Sequence, residues 1–236
     1  MSQKTPQGLA ITKSHEGLVF VYLESGTDVT DAELNDWYDE HAPLKLAVPG
    51  VKSACLYKAV DSQTPTWLML SDIETLEVVN SEAYTASRAR VSDREKAILE
   101  KIEGLSRRTY VHMSTFTHPD TAANSLPCKF VLVVAIDMTT PEEEDDLNKW
   151  YDEEHMDLLS KIPGWKQGRR YKLVDSSQKG LMTDKPVYKY VAVHEFSENN
   201  FLSSPEFKVA TSTEWRERVM KNAKRKARIF ELYKKF

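Results

Sequence analysis

Cysteine, glycine and long hydrophobic runs are scarce in this chain of 236 residues. Its two cysteines, Cys55 and Cys128, are too few for a disulfide scaffold and lie in no recognisable catalytic setting. The longest apolar runs, 18–23 and 130–136, are much shorter than the roughly 18 to 20 residues that a membrane-spanning helix needs. The composition, 41% hydrophobic and 29% charged residues with 8 glycines, is typical of a packed globular protein. It excludes a disordered, collagen-like or coiled-coil architecture.

Other chemical signatures are also missing. A net charge of −4 and a pI near 5.9 give no overall attraction to nucleic acid. No glycine-rich phosphate loop, serine nucleophile elbow or metal-ligand spacing occurs. Residues 1–8 contain no apolar stretch of signal-peptide length. Together with the scarcity of cysteine, these absences predict a cytoplasmic protein without a metal, and a partner that is neither nucleic acid nor a membrane.

A repeated motif shows that the chain contains two copies of one unit. Residues 34–39, LNDWYD, match residues 147–152, LNKWYD, at an offset of 113 residues. Beyond this motif the offset becomes 114, because the Glu-His pair at 40–41 matches the pair at 154–155. The first copy therefore lacks one residue between its tyrosine and its Glu-His pair.

The same offset of 114 continues downstream, and it sets the domain organisation. Residues 57–62, YKAVDS, match residues 171–176, YKLVDS. A stretch rich in proline, aspartate and asparagine lies between the copies and is typical of a linker. We predict two domains, residues 1–117 and 129–236, joined by a linker at residues 118–128.

Within each copy, hydrophobic periodicity predicts the order strand, helix, strand, strand, helix, strand. Capping boxes begin the helices after Thr30 and Thr140. This order is that of an α+β ferredoxin-like unit, with both helices on one face of an antiparallel sheet. We predict two tandem ferredoxin-like βαββαβ units packed sheet to sheet as an intramolecular dimeric α/β barrel. The predicted elements are 18–24, 31–47, 51–60, 66–73, 81–101 and 107–116, then 129–138, 141–161, 165–175, 187–196, 205–226 and 227–236.

One segment of the second copy resembles a known family. Residues 150–165, WYDEEHMDLLSKIPGW, followed by an Arg-Arg-Tyr at 169–171, resemble the helix-to-strand signature of EthD-type proteins. Residues 37–50 resemble the same signature with one residue deleted, so the likeness covers nearly the whole chain as a tandem pair. It implies the dimeric α/β barrel fold and a cofactor-free enzyme. Relatives include decarboxylases and cyclases acting on aromatic polyketides, monooxygenases, ring isomerases and accessory proteins, and haem-binding relatives keep haem open as an alternative.

His155 is the first candidate for a general acid or base. At 100° per residue it falls on the apolar face of the predicted helix 141–161. A histidine there either lines a cavity, where it can move protons near neutral pH, or is a core residue bonded to a carbonyl or a tyrosine. Tyr151, on the same face, could donate a hydrogen bond to a phenolate or carbonyl. Glu154, at the edge of this face, either orients the imidazole or faces water.

His41 occupies the matching position in the first copy and is also a catalytic candidate. Pro43 and the deleted residue disturb the helix there, because proline removes a backbone hydrogen bond. We therefore expect the second copy to hold the working site and the first copy to be structural. Trp37, Tyr38 and Trp150 are candidate substrate-binding residues, with core packing as the alternative.

Two strands add further candidates. His194 shares a strand face with Tyr190, and His112 lies among aromatic residues on another strand. If these faces point toward the helices, His194 joins the helix histidine in one pocket; if they do not, the two residues are structural. Arg169 and Arg170 point to opposite faces, so at most one can bind a substrate carboxylate or phenolate.

The sequence thus predicts a cofactor-independent enzyme of secondary metabolism. It would act on a hydrophobic aromatic or polyketide-like small molecule by acid/base-assisted cyclisation, rearrangement or decarboxylation, as a cyclase, an isomerase or a lyase. The alternatives are a non-catalytic ligand-binding or accessory barrel and a cofactor-free monooxygenase. The expected pseudo-dimer within one chain leaves further homodimer formation open.

Overall fold

A computed structural model describes residues 3–4, 10–12 and 15–236 and has an α+β fold. The strands are β1 (Gln3–Lys4), β2 (Ala10–Thr12), β3 (Gly17–Glu24), β4 (Cys55–Ala59), β5 (Trp67–Ile73), β6 (Gly104–Thr117), β7 (Phe130–Asp137), β8 (Trp165–Gly180), β9 (Tyr190–Phe196) and β10 (Lys224–Lys235). The helices are α1 (Asp31–Leu46), α2 (Glu82–Ala89), α3 (Asp93–Lys101), α4 (Pro141–Trp150), α5 (Met156–Ser160), α6 (Pro205–Ala210) and α7 (Glu214–Met220). Single 3-10 turns are Leu76–Asn80, Ala123–Ser125 and Phe201–Ser203.

The chain divides into two compact units, each described by itself below. The first unit comprises residues 15–112, 173–187 and 230–236. The second unit comprises residues 113–172 and 188–229 together with the described residues before 15. The strands β6, β8 and β10 each begin in one unit and end in the other.

The first unit has the strand order β6-β3-β5-β4-β10, and each of these pairings is antiparallel. The residues of β3 are buried on both faces of the strand, which explains its nearly continuous apolar sequence. Helix α1 begins after the capping box of Thr30 and Glu33, as the sequence predicts. Its buried side chains, Leu34, Trp37 and Tyr38 among them, pack in a core that also contains Ile98 of α3.

The second unit has the strand order β10-β7-β9-β8, with β7 and β8 antiparallel to β9. The strand β2 pairs with the last residues of β6. Helix α4 begins after the predicted capping box of Thr140 and Glu143, with Pro141 in its first turn. The core of the second unit is built around three large side chains, Trp150, Trp165 and Phe196.

A π-helical turn, Tyr151–His155, joins α4 to α5 in the second unit. This turn contains the extra residue of the second copy, whereas α1 passes the equivalent point as a regular α-helix. A π turn accommodates one inserted residue without ending the helix. The one-residue difference between the copies is therefore absorbed locally.

The predictions of single helices at 81–101 and 205–226 are wrong, since the structure divides both. The backbones of Ser92 and Thr213 are extended, and each side chain caps the N-terminus of a new helix, α3 or α7. Residues 224–226, predicted as helix, belong to β10. Among the described residues, no helix combines the length and the apolar character that crossing a bilayer requires.

Candidate functional site

A cavity of about 310 Å³ lies in the first unit, between its helices and its sheet. This volume is at the lower end of the range of about 300 to 1,000 Å³ that is usual for small-molecule sites. Five side chains of α1 line it, three of which (Trp37, Tyr38 and His41) the sequence proposes as site residues. Its apolar walls include Val19, Val21, Ala42, Ala54, Met69 and Ile73.

His41 is held by a buried carboxylate at this cavity. Its Nδ1 lies 2.9 Å from Oε1 of Glu95, which is 7% exposed. Burial alone would raise the pKa of Glu95, but the hydrogen bond and charge of His41, with the charge of Lys45, outweigh it and hold this pKa below its usual value. An ionised carboxylate only accepts hydrogen bonds, so Nδ1 donates, and in the neutral ring Nε2 is left as the proton acceptor.

The start of α3 places Glu95. The side chain of Ser92 accepts a hydrogen bond from the Glu95 backbone N–H at 3.1 Å. The pattern Ser-x-x-Glu is typical of a capping box, in which the glutamate also bonds back to the cap. In α1 Glu33 completes such a box, whereas the side chain of Glu95 turns inward to His41. The side chain of Glu95 therefore lines the cavity and does not cap α3.

Two aromatic side chains complete this part of the wall. The ring centroids of Trp37 and His41 are 5.1 Å apart, and those of Trp37 and Tyr38 are 4.5 Å apart. Burial raises the pKa of Tyr38, so its hydroxyl stays protonated and can donate a hydrogen bond. The candidates Trp37, Tyr38 and His41 thus meet at one cavity.

Three cationic side chains from different elements also line the cavity: Lys45 of α1, Arg88 of α2 and Arg107 of β6. Nζ of Lys45 lies 5.0 Å from the ring centroid of Tyr84, and the guanidinium carbon of Arg107 lies 5.8 Å from it. Burial, together with the two arginine charges, lowers the pKa of Lys45 to about 8, although Glu95 opposes the shift.

His155 lies in a different setting in the second unit. It is 8% exposed and stacks on Trp150, with ring centroids 4.0 Å apart. Its ring is hydrogen-bonded to the carbonyl of Ala210. Burial, followed by the charges of His194 and Arg216, holds the pKa of His155 well below its ordinary value. This arrangement is that of a neutral core histidine, and the role of His155 as an acid or base stays a prediction.

The structure brings three further candidates to His155. His194 is 1% exposed, and burial, then the charge of Arg170, lowers its pKa to about 3. The rings of Tyr151 and His155 are 5.3 Å apart, and burial raises the pKa of Tyr151 to about 12. The guanidinium carbon of Arg170 lies 4.0 Å from the centroid of the Tyr151 ring.

This cluster is tightly packed. A Cβ added to Gly168 would lie 2.9 Å from Nδ1 of His194 and 3.0 Å from the sulfur of Met156. Real Cβ atoms essentially never approach another atom to 2.9 Å, so a side chain has no room at this position. The second-copy candidates therefore lie together in a packed core.

The remaining candidates make structural contacts. Glu154 neither orients His155 nor lies free in water, because it accepts hydrogen bonds from Trp150 at 2.9 Å and Thr213 at 2.7 Å. Arg169 forms an ion pair with the buried Glu195 at 3.3 Å.

On the strands, the hydroxyl of Tyr190 donates to Glu144 at 2.8 Å. His112 lies on the face of β6 opposite to Leu105 and Arg107, which line the cavity. Neither Tyr190 nor His112 is among the side chains that line the cavity.

Sequence reasoning missed Glu95, Lys45, Arg88 and Arg107. One signal for Glu95 is present, since it is a carboxylate three residues before the buried Ile98, on the same face of α3. A charged residue on an apolar helix face needs a buried partner. The three cations carry no comparable signal, because the fold alone brings them together.

No family model and no curated protein sequence matches the chain. Solved structures do match. An anthrone oxidase-like protein has a TM-score of 0.62 at 12% identity, with 96% of this chain and 95% of that chain covered. A Fusobacterium nucleatum protein proposed to be a monooxygenase has a TM-score of 0.57 at 8% identity, with 95% of each chain covered. A chlorite dismutase from Candidatus Nitrospira defluvii has a TM-score of 0.58 at 10% identity, covering 94% and 92%.

These neighbours are proteins of the dimeric α/β barrel superfamily, and the chain has an α+β fold similar to theirs. Identities this low establish likeness of fold alone.

Proposed function

We propose that this chain is a cofactor-independent enzyme that moves a proton on a hydrophobic aromatic small molecule bound in the cavity of the first unit. The observation that carries the proposal is the His41–Glu95 pair, 2.9 Å apart in the wall of a mostly apolar cavity. A tandem ferredoxin-like organisation of the EthD type is part of the same proposal.

The chemistry follows from the arrangement of three groups. Nε2 of His41 accepts a proton from an acidic C–H or O–H of the substrate, and ionised Glu95 stabilises the imidazolium that forms. The protonated hydroxyl of Tyr38 is available to donate to the oxygen on which negative charge develops. The apolar walls hold the aromatic ring in a reactive orientation.

Proton abstraction of this kind begins a cyclisation or rearrangement, and protonation completes a decarboxylation, so the geometry favours none of the three. A second candidate, favoured by the names of two structural neighbours, is oxidation by molecular oxygen without a cofactor. For anthrone, removal of the C10 proton gives a carbanion. Reaction with one O2 then gives anthraquinone and one water, with no external reductant.

Deuterium exchange at C10 of anthrone, in D2O without oxygen, tests the proton transfer directly. We expect the protein to accelerate exchange above the buffer rate, and His41→Asn to lower this acceleration by at least about 100-fold. The matched variant His155→Asn changes the equivalent residue of the second copy, and we expect it to retain the acceleration within about threefold. Repeating the reaction with an oxygen electrode distinguishes simple proton transfer from oxidation.

Three results would contradict this proposal. If His155→Asn abolishes exchange and His41→Asn does not, the working site lies in the second copy. If aromatic probes bind but none exchanges, the protein is a binding barrel. A haem-sized mass on the purified protein in native mass spectrometry would contradict the cofactor-free mechanism.

A further inference from the structure

We propose that Lys45, Arg88 and Arg107 form an anion-binding subsite in the cavity, which makes the substrate an aromatic acid, bearing a carboxylate or a phenolate. This inference specifies the substrate class of the proposed function. It rests on that function only for the claim that the bound molecule is also turned over.

Two of the three cations approach one aromatic ring from different elements. Lys45 and Arg107 both lie near Tyr84, at 5.0 Å and 5.8 Å from its ring centroid. Nζ of Lys45 also donates to the hydroxyl of Ser87 at 2.9 Å, and that hydroxyl donates to the Tyr84 carbonyl at 2.7 Å. These contacts fix the ammonium group at the cavity wall.

The charges that line the cavity are unbalanced. Glu95 is the single carboxylate among the described lining residues, and His41 already engages it. Within the described part of the chain, neither Arg88 nor Arg107 has a carboxylate within ion-pair distance, whereas Arg94 pairs with Asp36 and Glu40. Lys45 and Arg107 are half-buried and Arg88 is exposed. The two half-buried cations repel one another in a mostly apolar space, and a bound anion would relieve that repulsion.

Position along α1 relates the subsite to the proton acceptor. Lys45 follows His41 by four residues, so both side chains project from the same face of the helix. Their axial separation is about 6 Å, the rise of four helical residues. A substrate whose anionic group binds Lys45 can therefore extend along this face of α1 toward His41.

The second copy lacks the lysine. By the repeat offset of 114, Lys45 corresponds to Leu159, a buried core residue. The fold common to both copies therefore does not require a cation at this position of the helix, as expected if Lys45 binds a ligand.

A matched pair of ligands tests the subsite by isothermal titration calorimetry. The ligands are 2-naphthoate and 2-naphthalenemethanol, which share a ring system and differ in charge. We expect the naphthoate to bind at least about tenfold more tightly at pH 7. In Lys45→Met, naphthoate binding should weaken at least about tenfold and alcohol binding should change less than about twofold. Arg107→Gln should act in the same direction.

Lys96→Gln is the control, because Lys96 is an exposed cation on α3 whose ion-pair partner is Asp93. It should leave both affinities unchanged. Equal binding of the two ligands, or equal weakening by Lys45→Met and Lys96→Gln, would overturn the subsite. Selective naphthoate binding without any exchange of anthrone would leave the subsite standing and refute the proposed catalysis. Exchange that depends on His41, without selectivity for the naphthoate, would do the reverse.

Discussion

The two repeats share a Trp-Tyr-Asp and Glu-His motif but surround its histidine with side chains of different size. Ala42 of the first repeat corresponds to Met156 of the second. Val51 corresponds in the same way to Trp165. The smaller residues line the cavity, whereas the larger ones are buried in the second core. The neighbours of the motif, and not the motif itself, leave room for a ligand beside the histidine of the first repeat.

The charge opposite the histidine differs as well. The caps Ser92 and Thr213 begin equivalent helices, and the third residue after each cap is Glu95 or Arg216, respectively. Glu95 hydrogen-bonds to the histidine of its repeat, whereas the charge of Arg216 lowers the pKa of His155. A carboxylate stabilises a protonated imidazole and a guanidinium opposes it. This contrast favours the first repeat for proton transfer.

Exchanging the small and large residues should have the largest effect on the two repeats. Met156→Ala removes a fully buried side chain, and we expect it to lower the free energy of unfolding by about 2 to 5 kcal/mol in urea titrations. Ala42→Met should instead fill the cavity, with a smaller cost of about 1 to 3 kcal/mol and loss of 2-naphthalenemethanol binding. A stable Met156→Ala variant would show that the second core is not closely packed.

Acid should destabilise the second unit through its neutral histidines. The folded pKa of His194 is about 3, below its ordinary value, so the unfolded state takes up a proton first as the pH falls. Stability is therefore lost between about pH 6.5 and pH 3, and His194 alone accounts for about 2 kcal/mol at pH 5. His155 acts in the same direction. Urea midpoints at pH 7 and pH 5 measure the loss, and His194→Gln should reduce it; equal midpoints for the wild type would contradict it.

The affinity of the first repeat for an anion should fall as the pH rises. The pKa of Lys45 is about 8, so an anion loses its cationic partner above that pH. Naphthoate affinity should fall by about tenfold between pH 7 and pH 9 and stay nearly constant in Lys45→Arg, as calorimetry would show. The charged and titratable groups that face Lys45 are His41, Tyr84, Arg88, Glu95 and Arg107. An unchanged wild-type affinity would mean that Lys45 does not contact the anion.

Local signals predicted much of this fold. The capping boxes at Thr30 and Thr140 mark helix starts correctly, because a cap is decided within four residues. The two divided helices were missed because helical periodicity continues across Ser92 and Thr213, and only the backbone shows that a new helix begins there.

The candidate site was less accessible to sequence reasoning. The placement of His155 assumed a regular α-helix, whereas the π turn changes the phase of every residue after Tyr151. Glu95 lies 54 residues from His41, and such a pairing depends on how α1 and α3 pack. The contact is visible only in the folded chain.

The last strand has a consequence for how this protein can be divided. The end of β10 pairs with β4, and Phe230, which is fully buried, stacks on Tyr22. A fragment that ends at residue 117 would lack this strand and expose the edge of β4, which is a template for pairing with other chains. Such a fragment would thus be prone to aggregation when expressed alone, because residues 173–187 and 230–236 belong to the same compact unit as residues 15–112.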